Sequence, residues 1–260
     1  MPLLTPNEPA ALTIERSHGK SVFLLACDHA SRRIPESLGS LGLDATQLAS
    51  HVAWDIGAAN LARRLSGLLD ATLILQNYSR VVIDCNRPPG SATSIPTQSE
   101  YAQITGNEGL ESIAVNERIA AIFTPYHDAL TTLLDRRREA GQRTLLVAVH
   151  SFTPVYLGKA RPWHVGLMHR HDRRLGRALL ELLRRDAELC VGDNEPYAIS
   201  DDTDYTIPIH GERRRIAHVG IEIRQDLIAD ESGQQAWAAR LAPLLAQAAD
   251  KLVDEPLESI

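Results

Sequence analysis

The chain has 260 residues, 44% hydrophobic and 23% charged, with a formal net charge of −6. That is ample material for a core and too apolar for a disordered chain, so one domain over residues 1–260 with short flexible termini is expected. Acids and bases are interspersed and their total is negative, which excludes a nucleic-acid backbone as the expected partner.

Short apolar, β-branched runs alternate with longer helical patterns, as in an α/β layered domain. The predicted strands, in order, are Ser21–Cys27, Ala71–Gln76, Val81–Asp84, Thr144–Val149, His164–Met168 and His218–Ile223. Runs this continuously apolar suit strands covered on both faces. Asp44 is a plausible cap for one helix reaching to about Leu69, and further helices are predicted near Leu110–Ala140, Asp172–Leu189 and Gly233–Val253. The segment Arg87–Asn107, rich in Pro, Ser, Thr and Gly, reads as a long irregular loop, a common place for binding residues. Of the basic runs, Arg136–Arg138 and Arg173–Arg174 read as solvated surface; a third lies at Arg213–Arg215. Cys27, Cys85 and Cys190 have unrelated spacings that suggest neither a disulfide framework nor a thiolate metal site. No stretch approaches the roughly 20 apolar residues that span a bilayer, and the N-terminus has no signal-like pattern, so the expected location is the cytoplasm.

Polar residues worth chemistry sit at or just beyond strand ends, where open α/β sheets place their sites. His29 follows the first strong strand and His150 follows the strand TLLVAV. Two imidazoles and one carboxylate, with a position left open for water, make a catalytic metal set. His51 and Asp55, four apart, would share one face of the predicted helix, and Asp55 lies in an apolar stretch where a lone carboxylate is expensive. Asp28 is a competing ligand or a partner to one. Arg80 and Arg87 bracket a predicted strand, with Asn86 beside the second, and a guanidinium can grip a carboxylate or steady an oxyanion. Glu222, between two isoleucines, has a setting that raises its pKa towards neutrality, and Arg224 would point to the same side of the strand. Tyr197 and His210 fall in a polar stretch and could close over a substrate. No glycine-rich phosphate loop follows any strand, so a nucleotide cofactor is not indicated.

HxSxxIP (His29 to Pro35), HVAWDIGA, SRVVIDCNRP, HSFTP, GDNEPY and EIRQDLI occur in that order. Together they resemble the N-formylglutamate amidohydrolase family over most of the chain, from about Ala26 to Ile228. The resemblance implies a three-layer α/β/α sandwich around a mixed, largely parallel sheet, related to zinc carboxypeptidases and aspartoacylase-like hydrolases. It implies hydrolysis of N-formyl-L-glutamate to formate and L-glutamate, within histidine degradation, by an enzyme holding one zinc ion. Its zinc would sit on His29 and His150, with Glu222 activating water, Asn86 and Arg87 gripping the substrate α-carboxylate and Arg80 facing the oxyanion. Arg224 or Arg32 would hold the other carboxylate. The carboxypeptidase relatives carry an acidic ligand three residues after the first histidine; here that position is Arg32, which leaves Asp55 as the expected third ligand. Deacylation of another N-acyl amino acid, or plain binding of acidic amino acids without catalysis, are the alternative expectations.

Overall fold

The structure, a computed structural model, describes residues 2–252. The expected flexible termini, and the last residue of the helix predicted to end at Val253, fall largely outside the described residues. Seven strands form one sheet: β1 (Leu12–Glu15), β2 (Phe23–Cys27), β3 (Thr72–Gln76), β4 (Leu145–Phe152), β5 (Val165–Met168), β6 (Val191–Asp193) and β7 (His218–Arg224). Their spatial order is β1-β3-β2-β4-β7-β5-β6. β3, β2, β4 and β7 run parallel; β1 on β3 and β5 on β7 are antiparallel, and β6 returns parallel to β5. β1 and β6 were not predicted: four and three residues are too short for a periodic signal.

Alternation along the central strands divides the core. Leu25, Cys27, Val147, Val149, Ile221 and Ile223 face a layer built from α2 (Ala58–Leu69), α5 (Arg174–Leu183) and α6 (Glu231–Lys251). Leu24, Ala26 and Leu146 face the other way, onto α4 (Thr124–Glu139) and the segment carrying Val81 to Cys85. Three layers result, as expected. Ala148 and Met168 extend the second face towards the β5 edge, where they pack on Ile199 and Ile207. Among the described residues, no helix is long and apolar enough to cross a membrane.

Two predicted elements are corrected. The helix after Asp44 is broken: Asp44 caps only α1 (Ala45–Ala49), in a reciprocal box with Gln47, and α2 begins nine residues later at Ala58. His51 and Asp55 lie in that break and do not share a helical face. Val81–Asp84 is not a strand. Its Val81 carbonyl accepts from Asn107 Nδ2 at 2.8 Å, and its Val82 carbonyl from Nη1 of the buried Arg118, the last residue of α3 (Ser112–Arg118), at 2.9 Å. Side chains thus occupy acceptors that a ladder would need. Within the predicted loop 87–107, Gln98–Ser99 and Ala102–Gln103 form a small ribbon.

Candidate active site

The register of the sheet brings the first two groups together. β4 and β7 pair in parallel with His150 beside Glu222. Both lie on the face opposite Val149 and Ile221, so both point away from the α2–α5–α6 layer. His29 leaves the end of the neighbouring β2, and its carbonyl accepts the Asp55 N–H at 3.0 Å, which pins the helix break against the strand end. Ser151 tightens the same break, its Oγ donating to Ile56 O at 2.8 Å and its N–H reaching Asp55 Oδ2 at 3.3 Å.

Asp55 Oδ2 stands 3.2 Å from His29 Nδ1 and 2.9 Å from His150 Nδ1. One ligand atom from each of the three residues, all buried, falls within 4.8 Å of the others, a spacing that could hold a metal ion. The far nitrogen of each ring meets another carboxylate. His29 Nε2 is 2.7 Å from Asp84 Oδ1, and His150 Nε2 is 3.4 Å from Asp28 Oδ2, at the outer limit of hydrogen bonding. Carboxylates behind metal-binding histidines fix the tautomer and aim the inner nitrogen. Asp28 is itself held by Tyr126 Oη at 2.8 Å and Thr206 Oγ1 at 2.9 Å, both donating to its Oδ1.

Arg80 spans the two carboxylates flanking His29. Its Nη1 donates to Asp55 Oδ1 at 3.3 Å, and its Nε and Nη2 to Asp84 Oδ2 at 3.2 and 2.9 Å. Burial opposes ionisation of Asp55 and Asp84, yet His29, with His150 at the first and Arg80 at the second, holds both well below the ordinary carboxylate range. Burial also opposes charge on His150, but the Asp28 and Asp55 carboxylates, accepting from its ring, push its pKa well up. Glu222 goes the other way: burial raises its pKa to about 7, against the pull of His150. Its Oε2 is buried with no hydrogen-bond partner among the described residues. A carboxyl that changes charge near neutrality beside a ligand cluster is fitted for proton transfer.

These groups open onto a cavity of ≈ 440 Å³ whose walls include His29, Asp55, Arg80, Asn86, Arg87, His150, Tyr197 and Glu222. These eight residues, all singled out in the sequence, therefore share one chamber, and His51 lines it too. Asn86 is fixed there: its Oδ1 accepts the N–H groups of Tyr205 and Thr206 at 3.0 Å, and its Nδ2 donates to Asp204 at 3.3 Å. Arg87 Nη1 donates to the carbonyls of Asn86 and Thr203. Tyr197 accepts from Arg161 at 2.8 Å, and that guanidinium lies over the Tyr156 and Tyr197 rings, 4.7 and 4.8 Å from their centroids.

Arg224 and His210 do not join the chamber. Arg224 turns out to Asp226, donating at 2.8 and 3.2 Å, because the strand ends at that residue and a short turn carries Asp226 alongside. His210 is buried against His127, stacked at 5.2 Å with 3.0 Å between His210 Nε2 and His127 Nδ1. Arg32 lies over the Trp54 ring at 5.8 Å. Asp84 was not singled out in the sequence, and neither was Arg161. Asp84 closes the apparent strand Val81–Asp84, which hides where its side chain goes, while Arg161 meets its aromatic partners only in space.

Residues 21–229 match the family model described as N-formylglutamate amidohydrolase. A gene product of Agrobacterium tumefaciens superposes with a TM-score of 0.94 at 40% identity, covering 97% of this chain and 100% of that one. The N-formylglutamate amidohydrolase from Ralstonia eutropha JMP134 superposes with a TM-score of 0.69 at 20% identity, covering 94% and 99%, a likeness of fold alone. Among curated proteins there is no match. Fold and family match together define an α/β amidohydrolase acting on a small molecule. The chain belongs to the N-formylglutamate amidohydrolase family.

Proposed function

We propose that the protein hydrolyses N-formyl-L-glutamate to formate and L-glutamate, using one divalent ion, zinc, held by His29, Asp55 and His150. The observation that carries this reading is the buried His–Asp–His group, with a second carboxylate behind each imidazole. The donor set suits the ion: two borderline nitrogens and one oxygen are a common catalytic zinc set, and like arrangements accept other divalent ions. The unpartnered Glu222 Oε2 fits it too, since a buried carboxylate oxygen facing such a cluster wants a water or a proton.

A divalent ion at these three residues supplies Lewis acidity, which lowers the pKa of water and polarises a carbonyl. Glu222 takes the proton of the attacking water, and the oxygen bonds to the formyl carbon. Arg80 keeps one free hydrogen on each terminal nitrogen and donates to the oxyanion that develops. The C–N bond then breaks as Glu222 returns the proton to the departing nitrogen. Asn86 and Arg87 bind the substrate α-carboxylate, and Tyr197, anchored by Arg161, closes the outer wall.

The test is metal content of the purified chain together with formate release from N-formyl-L-glutamate, before and after chelation. Near-stoichiometric zinc and release that chelation abolishes and zinc restores are expected. Glu222→Gln should keep the metal and lose at least ~10²-fold in kcat; substantial turnover in that variant would remove its role as base. Zinc without release, but with release from acetyl or succinyl analogues, would reassign the acyl group.

A further inference from the structure

The basic runs that are separate in the sequence converge in space. A cleft of ≈ 1030 Å³ lies where α4 ends, where β4 begins at Leu145 and where Ala217 leads into β7. Arg138, Arg143, Arg174, Arg213, Arg214 and Arg215 line it, against a single carboxylate, Asp135, among the described residues. This concentration stands on a chain whose net charge is −6.

Among the described residues, neighbouring acids do not balance Arg143, Arg213 and Arg215. Asp135 Oδ1 is shared between Arg214 at 2.7 Å and Arg138 at 3.2 Å. Arg174 is paired with Asp172 at 2.6 Å. Arg143 donates to the Ala249 carbonyl in the last turn of α6 at 3.0 Å and has no ion-pair partner among the described residues. Arg213 and Arg215 are exposed and have no ion-pair partner among the described residues. Helix C-termini attract cations, and α4 and α6 both end near this cleft, which accounts for Arg138 and Arg143. Those helix ends do not call for the further charges of Arg213 and Arg215. Between the arginines, Leu134, Leu145, Ile209 and Ile216 form an apolar floor.

The cleft and the candidate active site use opposite ends of the same strands. Leu145 and His150 are five residues apart on β4, roughly 17 Å at about 3.3 Å per residue. The two are therefore separate places on the molecule.

We propose that this cleft binds a multiply charged anion of the oligophosphate class. Guanidinium groups match phosphate oxygens by charge and by paired hydrogen bonds. So many of them around so large a volume exceed what one carboxylate or a monoanion needs. The negative total charge of the chain disfavours long nucleic acid; it does not oppose a compact ligand bound in a local positive field.

The experiment is isothermal titration of the full chain at low ionic strength with inorganic tripolyphosphate, and in parallel with ATP and adenosine. Saturable one-site binding of tripolyphosphate is expected. A double charge reversal, Arg213→Glu with Arg215→Glu, should weaken it at least tenfold, while Arg87→Ala in the other cavity leaves it unchanged. Tighter binding of ATP than of tripolyphosphate would point to a nucleotide using the apolar floor; equal binding would point to the phosphate chain alone. Both positions are exposed, so the fold should survive, and Arg213→Gln alone reads the same effect if the double variant does not fold. Absence of tripolyphosphate binding, binding indifferent to the arginine variants, or its loss in Arg87→Ala would each overturn the proposal.

Discussion

Asp55, Asp84 and Asp28 are all buried, and a buried carboxylate stays ionised only where charge and hydrogen bonds compensate its lost hydration. Each finds that compensation in a histidine, so three acids and two imidazoles form one network with Arg80 bridging two of the acids. Asp84 acts through His29 and Arg80. In the proposed metal site its charge holds the His29 ring with Nδ1 turned inward. Asp84→Asn keeps the shape, removes that charge and should weaken zinc affinity by ~10–100-fold, read by competition with a chromophoric chelator. Unchanged affinity would reduce Asp84 to a structural anchor. His29, Asp55, His150 and Glu222 were legible in the sequence because each is a polar residue set in or directly after an apolar run. Asp84 also closes an apolar run, but that run resembles a strand in sequence while side chains take its carbonyls in space.

At the scale of elements, the break between α1 and α2 is what delivers Asp55. Apolar spacing from Leu48 to Leu65 continues through it, so periodicity alone joins the two helices. Gly57 decides otherwise: it opens α2 in the left-handed region at φ 80°, and a Cβ there would collide with the Ile228 carbonyl oxygen. Gly57→Ala is expected to cost at least ~1 kcal/mol from backbone strain, before the clash is counted. A urea midpoint matching the wild type would show that the break tolerates another backbone path. Because Asp55 is two residues away, the same variant should also lose metal affinity.

At the scale of the whole molecule, acid stability rests partly on a pair outside the chamber. His127 Nε2 is 2.8 Å from the Cys85 carbonyl, which can only accept, so that nitrogen carries the hydrogen and Nδ1 is left to accept from His210 Nε2. Burial lowers His127 to about 4 and, with His127 alongside, His210 to about 3, both from an ordinary 6.5. Both are neutral when folded and take up protons more readily when unfolded. Their contribution is therefore complete above pH 6.5 and is lost as pH falls through about 4 and 3. The thermal midpoint should fall over that window, and fall less in His210→Gln, which keeps a donor but does not titrate. Equal acid shifts in the two proteins would remove the pair from the account. By itself the sequence determined the layered α/β class, the central strands and most of the residues lining the chamber. Continuous apolar runs and the polar groups ending them follow from local burial, which one chain displays directly. Only the tertiary structure decided that Asp84 and Asp28 back the histidines, that Arg224 and His210 turn elsewhere, and that three arginine runs share one cleft. Those outcomes depend on strand order, on register and on which side chains take the acceptors of a would-be strand, all set by contacts between residues far apart in the chain.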